Sequence, residues 1–222
     1  AASDVYKRQI DLSAYKTTAG KQTILLDYSR AEVNELQILK QADVVMLTYM
    51  LPELFTAEVC LNNLHFYEAR TIHDSSLSKA IHGIVAARCG NPEQGYQFWH
   101  EGAQIDLGDD PHSCDDGIHA AATGAIWLGA IQGFAGLSVR NGALHLDPAL
   151  PEGWKKLTFP LYWQGSEMMI SLSKSHVTIS SSRPVTLWLN AKPIVIDGEY
   201  KLAFPDMILP VFGTATTERG KE

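Results

Sequence analysis

Two hydropathic regimes divide the chain. Up to about residue 138, apolar positions recur at the three-to-four spacing of amphipathic helices. Ser29-Arg30-Ala31-Glu32 reads as a capping box that opens a helix running through Lys40 toward Tyr49, where Pro52 interrupts it. A second helix is expected over 56–69. A third begins at Ser75 or Ser76, with Leu77, Ile81, Ile84 and Val85 on one face. Gly90 and Pro92 mark a stop and a restart, so a fourth helix covers 92–104. After a polar loop over 106–116, a fifth helix spans 117–134. Its small residues (Ala120, Ala121, Ala122, Gly124, Ala125, Gly129, Ala130, Gly133) predict close packing on several sides.

Beyond Val139-Arg140-Asn141-Gly142 the pattern changes to short β-branched and aromatic runs separated by turn signals. Strands are expected over 144–146, 157–163, 167–172, 175–180, 185–189 and 193–196. Asp197-Gly198 reads as a hairpin turn leading into Tyr200-Lys201-Leu202. These runs form a small antiparallel sheet domain over 139–206, followed by a tail, 207–222. At the other end, residues 4–9 (DVYKRQ) look like translated transposon-end adaptor from a sequencing library, so residues 1–9 are set aside and the helical domain is taken as 10–138.

Composition narrows the function. With 45% apolar residues in 222, the chain can bury a substantial core. A net charge of −7, with 18 scattered Lys and Arg, gives no basic stripe for nucleic acid. No apolar stretch reaches the length of a membrane span. Cys60, Cys89 and Cys114 fit neither a disulfide framework nor a zinc pattern, which favours a reducing, cytoplasmic setting. There is no HExxH and no ligand cluster at metal spacing, so no metal and no cofactor are expected.

Three polar islands interrupt the helical regime: Lys40-Gln41-Ala42-Asp43, the run from His73 through Ser75-Ser76 to Ser78, and Asp115-Asp116-Gly117-Ile118-His119. A serine at a helix start is ordinarily an N-cap. A helix start is also an anion site, because free N–H groups and the positive dipole end point the same way. Ser75 and Ser76 add hydroxyl donors at one such start. Gly117 lets backbone approach closely at a second, with His119 in its first turn. Lys40 alone would be a snorkelling surface lysine, and His73, His112 or His119 alone a satisfied histidine. Lys40 beside Gln41 is suited to sugar hydroxyls, and Asp43, three residues on, is placed to hold Lys40. Trp99 and Trp127 read as helix core, Trp154 and Trp163 as sheet packing. Asp115-Asp116 reads as a solvated or structural pair rather than an acid/base couple.

Taken in order, with Ala-Ala-Ala-Thr-Gly-Ala-Ile-Trp-Leu-Gly-Ala after Gly117-Ile118-His119, these segments resemble the inverting disaccharide phosphorylases of glycoside hydrolase family 65 (maltose, trehalose and kojibiose phosphorylase types). The resemblance runs from about Ile10 to about Phe204. It implies an α plus β fold: the last part of an (α/α)6 barrel, then a small antiparallel sheet domain. Sequence pattern alone leaves a toroid and a bundle open. The resemblance implies that Lys40 and Gln41 contact the glucosyl unit, with Lys40 also near phosphate, and that Ser75, Ser76, Gly117 and His119 bind phosphate. It implies phosphorolysis with inversion, inorganic phosphate as co-substrate, a disaccharide as partner, and a homodimeric complete enzyme. No residue here matches the family's general-acid Glu, which the resemblance places upstream, so the fragment is expected to be inactive alone. A related α-glucoside hydrolase and a non-catalytic carbohydrate-binding module are the alternatives.

Overall fold

A computed structural model describes residues 7–16, 23–73, 75, 77–108 and 117–203. The described helices are α1 (Ser13–Lys16), α2 (Ile24–Asp27), α3 (Arg30–Asn34), α4 (Val44–Met50), α5 (Ala57–Glu68), α6 (Ser78–Arg88), α7 (Pro92–Leu107) and α8 (Ala120–Leu128), the last continued by a π-helical turn, Gly129–Phe134. The capping box at Ser29 and Glu32 forms as expected. The helix it opens does not run to Tyr49. It ends at Asn34, and the chain becomes extended: Leu36 pairs with Arg8, and Leu39 pairs with Thr71. Backbone bonds to a neighbouring segment replace intrahelical ones, a tertiary choice that helical spacing of Leu36, Leu39 and Val44 does not reveal.

The most enclosed helix is α6, not α8. Every residue from Ser78 to Ala87 is buried. It crosses α7 at Gly83 and Gly95, where a Cβ on Gly95 would lie 2.8 Å from the Gly83 carbonyl oxygen; only glycine permits that approach. By contrast α8 buries Ala122 and Ala125 while Trp127 is 60% exposed, so the small-residue composition does not mean burial on several sides here. Trp99, as expected, joins the core, donating its indole N–H to the Ile126 carbonyl at 2.8 Å and packing edge-on to Trp154 and Phe134.

Among the described residues six strands form one curled sheet: β1 (Leu137–Arg140), β2 (Ala143–Leu146), β3 (Lys156–Trp163), β4 (Ser166–Ser173), β5 (His176–Leu189) and β6 (Lys192–Ala203). The order is β1-β2-β5-β4-β3, with β6 on the other edge of β5. One contact departs from the antiparallel expectation: β2 runs parallel to the second half of β5. The hairpin expected at Asp197-Gly198 is absent. Those residues lie inside β6, beside a register irregularity between Ser181 and Val185 of β5. The turn sits at Asn190-Ala191, both at positive φ, as a two-residue turn of this kind requires. Ile170, Leu172, Ile179, Leu187 and Ile196 form the sheet core, which continues onto Ala87, Ile131 and Phe134 of the helices. The tail lies outside the described residues.

Candidate functional site

The end of α7 organises the site. Lys79, in the first turn of α6, pairs with Glu101 at 2.7 Å, so α6 starts near the C-terminal end of the antiparallel α7. One turn further, Asp106 accepts from the His119 backbone N–H at 3.1 Å and lies 2.8 Å from His119 Nδ1. The starts of α6 and α8 therefore meet the same end of one helix. The bridge between Leu39 and Thr71 brings Lys40-Gln41 alongside the strand-like segment that leads to His73 and Ser75. The described residues of the three polar islands thus lie near one end of the helical layer.

Lys40 and Gln41 form an exposed bend ahead of α4, and among the described residues neither side chain has a hydrogen-bond partner. Asp43 does not hold Lys40: it is the N-cap residue of α4, without a side-chain cap bond, and Lys40 lies outside any helix. Ser75 sits in the turn before α6, half-buried. Its hydroxyl accepts from Leu77 N–H at 3.4 Å, and its carbonyl accepts from Ser78 N–H at 3.1 Å. The helix starts at Ser78, later than the serine pair. Ser76 and Asp115-Asp116 lie outside the described residues. Gly117 has φ 92, a left-handed conformation suited to glycine, with open space where a Cβ would stand. His119 is the N-cap of α8 rather than part of its first turn.

Asp106 was not singled out from the sequence. It receives the backbone and ring N–H of His119 and the Thr123 hydroxyl. The side-chain hydrogen bond from His119 holds its carboxyl below the usual range. An ionised Asp106 fixes Nδ1 of His119 as a donor and leaves Nε2 without a partner among the described residues. The available signal was an acid at the end of an amphipathic helix, immediately before the loop to His119.

Behind Ser75 lies a second cluster that the sequence did not reveal. Glu68 ends α5. One carboxylate oxygen is 3.0 Å from His73 Nε2 and 2.5 Å from His82 Nδ1, and the other is 3.3 Å from Lys16 Nζ. His73 Nδ1 is 2.9 Å from the Ser78 hydroxyl. Burial alone would raise the Glu68 carboxyl, but hydrogen bonds from His73 and His82 outweigh it and hold it far below the usual range. Burial pushes His82 down, which favours the neutral ring, and its Nε2 has no hydrogen-bond partner among the described residues. One donor atom from each of Glu68, His73 and His82 lies within 4.8 Å of the others. Yet their direct contacts are those of N–H···O bonds, and Lys16 already supplies the cation, so the cluster reads as a hydrogen-bonded network rather than a metal site.

The chain as a whole resembles known proteins. Residues 2–128 match the glycosyl hydrolase family 65 central catalytic domain, and residues 137–196 match the family 65 C-terminal domain. The chain belongs to glycosyl hydrolase family 65. It is 68% identical over 216 residues to the kojibiose phosphorylase of Escherichia coli K12, covering 97% of this chain and 29% of that protein. A kojibiose phosphorylase from Halothermothrix orenii is 42% identical across 77% of this chain and 22% of its own length. An α,α-trehalose phosphorylase from Thermoanaerobacter brockii is 34% identical across 80% of this chain and 23% of its own. A solved structure from the human microbiome, provisionally named a kojibiose phosphorylase, superposes with a TM-score of 0.85 over 94% of this chain and 31% of its own, at 24% identity. The chain spans less than a third of these relatives.

Proposed function

We propose that this chain is the C-terminal portion of an inverting disaccharide phosphorylase that cleaves an α-glucosidic disaccharide, kojibiose foremost, with inorganic phosphate. The products are β-glucose 1-phosphate and glucose. The observation that carries the reading is His119: Asp106 locks its Nδ1, its Nε2 has no partner among the described residues, and it stands at the start of α8. Binding phosphate there makes use of the helix N-terminus and of the His119 ring, whose Nδ1 is engaged by Asp106. Ser75, Ser76 and the Gly117 backbone complete the cradle, and Lys40 and Gln41 take the glucosyl hydroxyls.

In this mechanism a phosphate oxygen attacks the anomeric carbon as the bond to the glycosidic oxygen breaks. A Glu general acid from the part of the enzyme outside this chain protonates the leaving oxygen. Phosphate is already an anionic nucleophile, so no general base is needed; an inverting hydrolase would require one to activate water. Antiparallel α6, α7 and α8 support placing residues 10–138 in the last part of an (α/α)6 barrel, with 139–206 as its sheet domain. The complete enzyme is taken as a cytoplasmic homodimer with no cofactor.

The test joins this chain to the upstream part of the E. coli relative, replacing the corresponding C-terminal portion, and supplies kojibiose with or without phosphate. Phosphate-dependent release of β-glucose 1-phosphate is expected. Phosphate-independent glucose release would establish the hydrolase instead, and sugar binding without turnover the binding module.

A further inference from the structure

We propose that Glu68, His73 and Ser78 form a buried clamp that positions the Ser75 turn for phosphate, with His82 bracing Glu68 from the next turn of α6. This rests on the phosphate reading of Ser75 and extends it to residues that touch no substrate.

The clamp follows the chain. Glu68 is the last residue of α5 and Ser78 the first of α6. His73, between them, hydrogen-bonds to both, at 3.0 Å to the carboxylate and 2.9 Å to the hydroxyl. The turn carrying Ser75 is therefore the short loop closed by this bridge. His73 has φ 54, the left-handed region that non-glycine residues adopt only when their surroundings impose it. Here the surroundings are explicit: two ring hydrogen bonds, burial to 5% exposure, and contacts with the His82 and Phe98 rings. Ile72 N–H, one residue earlier, donates to Leu39 O at 2.9 Å, so the backbone beside Lys40 is held by its own bond and not by the clamp's side chains.

The order Ser78–His73–Glu68 has the composition of a nucleophilic triad, but Ser78 is fully buried within the first turn of α6 and offers no surface to a substrate. The charge balance suits a static role instead. An ionised Glu68 accepts from His73, His82 and Lys16, so this partly buried anion is compensated by donors on α1, on the turn and on α6.

The experiment uses the chimera with the E. coli upstream part and measures kcat and KM separately for phosphate and kojibiose. Ser75→Ala, the benchmark, raises phosphate KM about tenfold. Glu68→Gln keeps the shape and removes the charge; it raises phosphate KM by a similar factor, leaves kojibiose KM unchanged, and is not additive with Ser75→Ala, because it acts through the same turn. Should Glu68→Gln fail to fold, Ser78→Ala, which removes one oxygen, carries the same expectation. An unchanged phosphate KM in Ser75→Ala overturns the phosphate reading and the clamp together. A raised KM in Ser75→Ala beside an unchanged or fully additive effect in Glu68→Gln overturns the clamp alone.

Discussion

The two halves of the chain bury different things. The sheet half encloses aliphatic side chains such as Leu146, Ile170, Ile179 and Leu187, and its one buried polar residue among those described is Ser166. The helical half buries Thr48, Thr71, His73, Ser78, Lys79 and His82. Both halves leave large apolar residues in solvent, among them Met50, Leu54 and Trp127 in the helical half and Tyr162, Met169 and Val195 in the sheet half. An apolar core needs only volume and pattern. A buried histidine or lysine needs a partner at a fixed distance, or it costs stability. The difference shows where fixed geometry is invested: beside the helix starts, at the end of α7, and not in the sheet.

The largest effect expected from this contrast is on stability. Ile170→Ala in the sheet core should cost about 2–5 kcal/mol, read by denaturant melts of the chimera, while the folded enzyme keeps its phosphate KM. A changed phosphate KM would show that the halves are not separable in this way. Next, His119→Ala should lower kcat/KM for phosphate about ten- to a hundredfold with little change in melting temperature. A large melting shift with intact kinetics would return His119 to a structural role. Lys40→Met keeps the stem, removes the ammonium and should depress activity without altering melting, since Lys40 is exposed and forms no bond to a described residue.

A smaller effect concerns pH. Glu68 and His82 both have folded pKa values below their unfolded ones. Their stabilisation is complete above about pH 6.5. It declines on acidification, first as unfolded-state histidine takes up protons and then through the carboxylate range. The groups facing Glu68 are Lys16, His73 and His82. Melting temperature should therefore fall between about pH 4.5 and 3.5 more steeply in the parent than in Glu68→Gln. His145, also lowered by burial, acts equally in both. Equal slopes would mean Glu68 is not held ionised. Smallest, Ala191→Gly should raise stability by about 1 kcal/mol, because Ala191 occupies φ 61 in the β5–β6 turn. No gain would show that the turn is unstrained.

Much of this was legible in the residues. The capping box at Ser29, the stop and restart at Gly90 and Pro92, and the boundary between helical and strand patterning near 138 are local signals, and local chemistry decides them. The break between Asn34 and Val44 was not legible, because the bonds that end the helix come from Arg8 and from the segment at 70–72. The hairpin was misplaced for a similar reason. Asp197-Gly198 has the better turn composition, yet the register of β5 against β6 puts the reversal at Asn190-Ala191. Family membership needed only the order of three short motifs, since that order is a property of the chain. Asp106 behind His119, and Glu68 behind His73 and His82, required tertiary structure. Each pairing spans 5 to 14 residues and crosses from one helix to the next start. Whether such groups meet depends on how α5, α6, α7 and α8 pack, and no periodicity within a single helix records that.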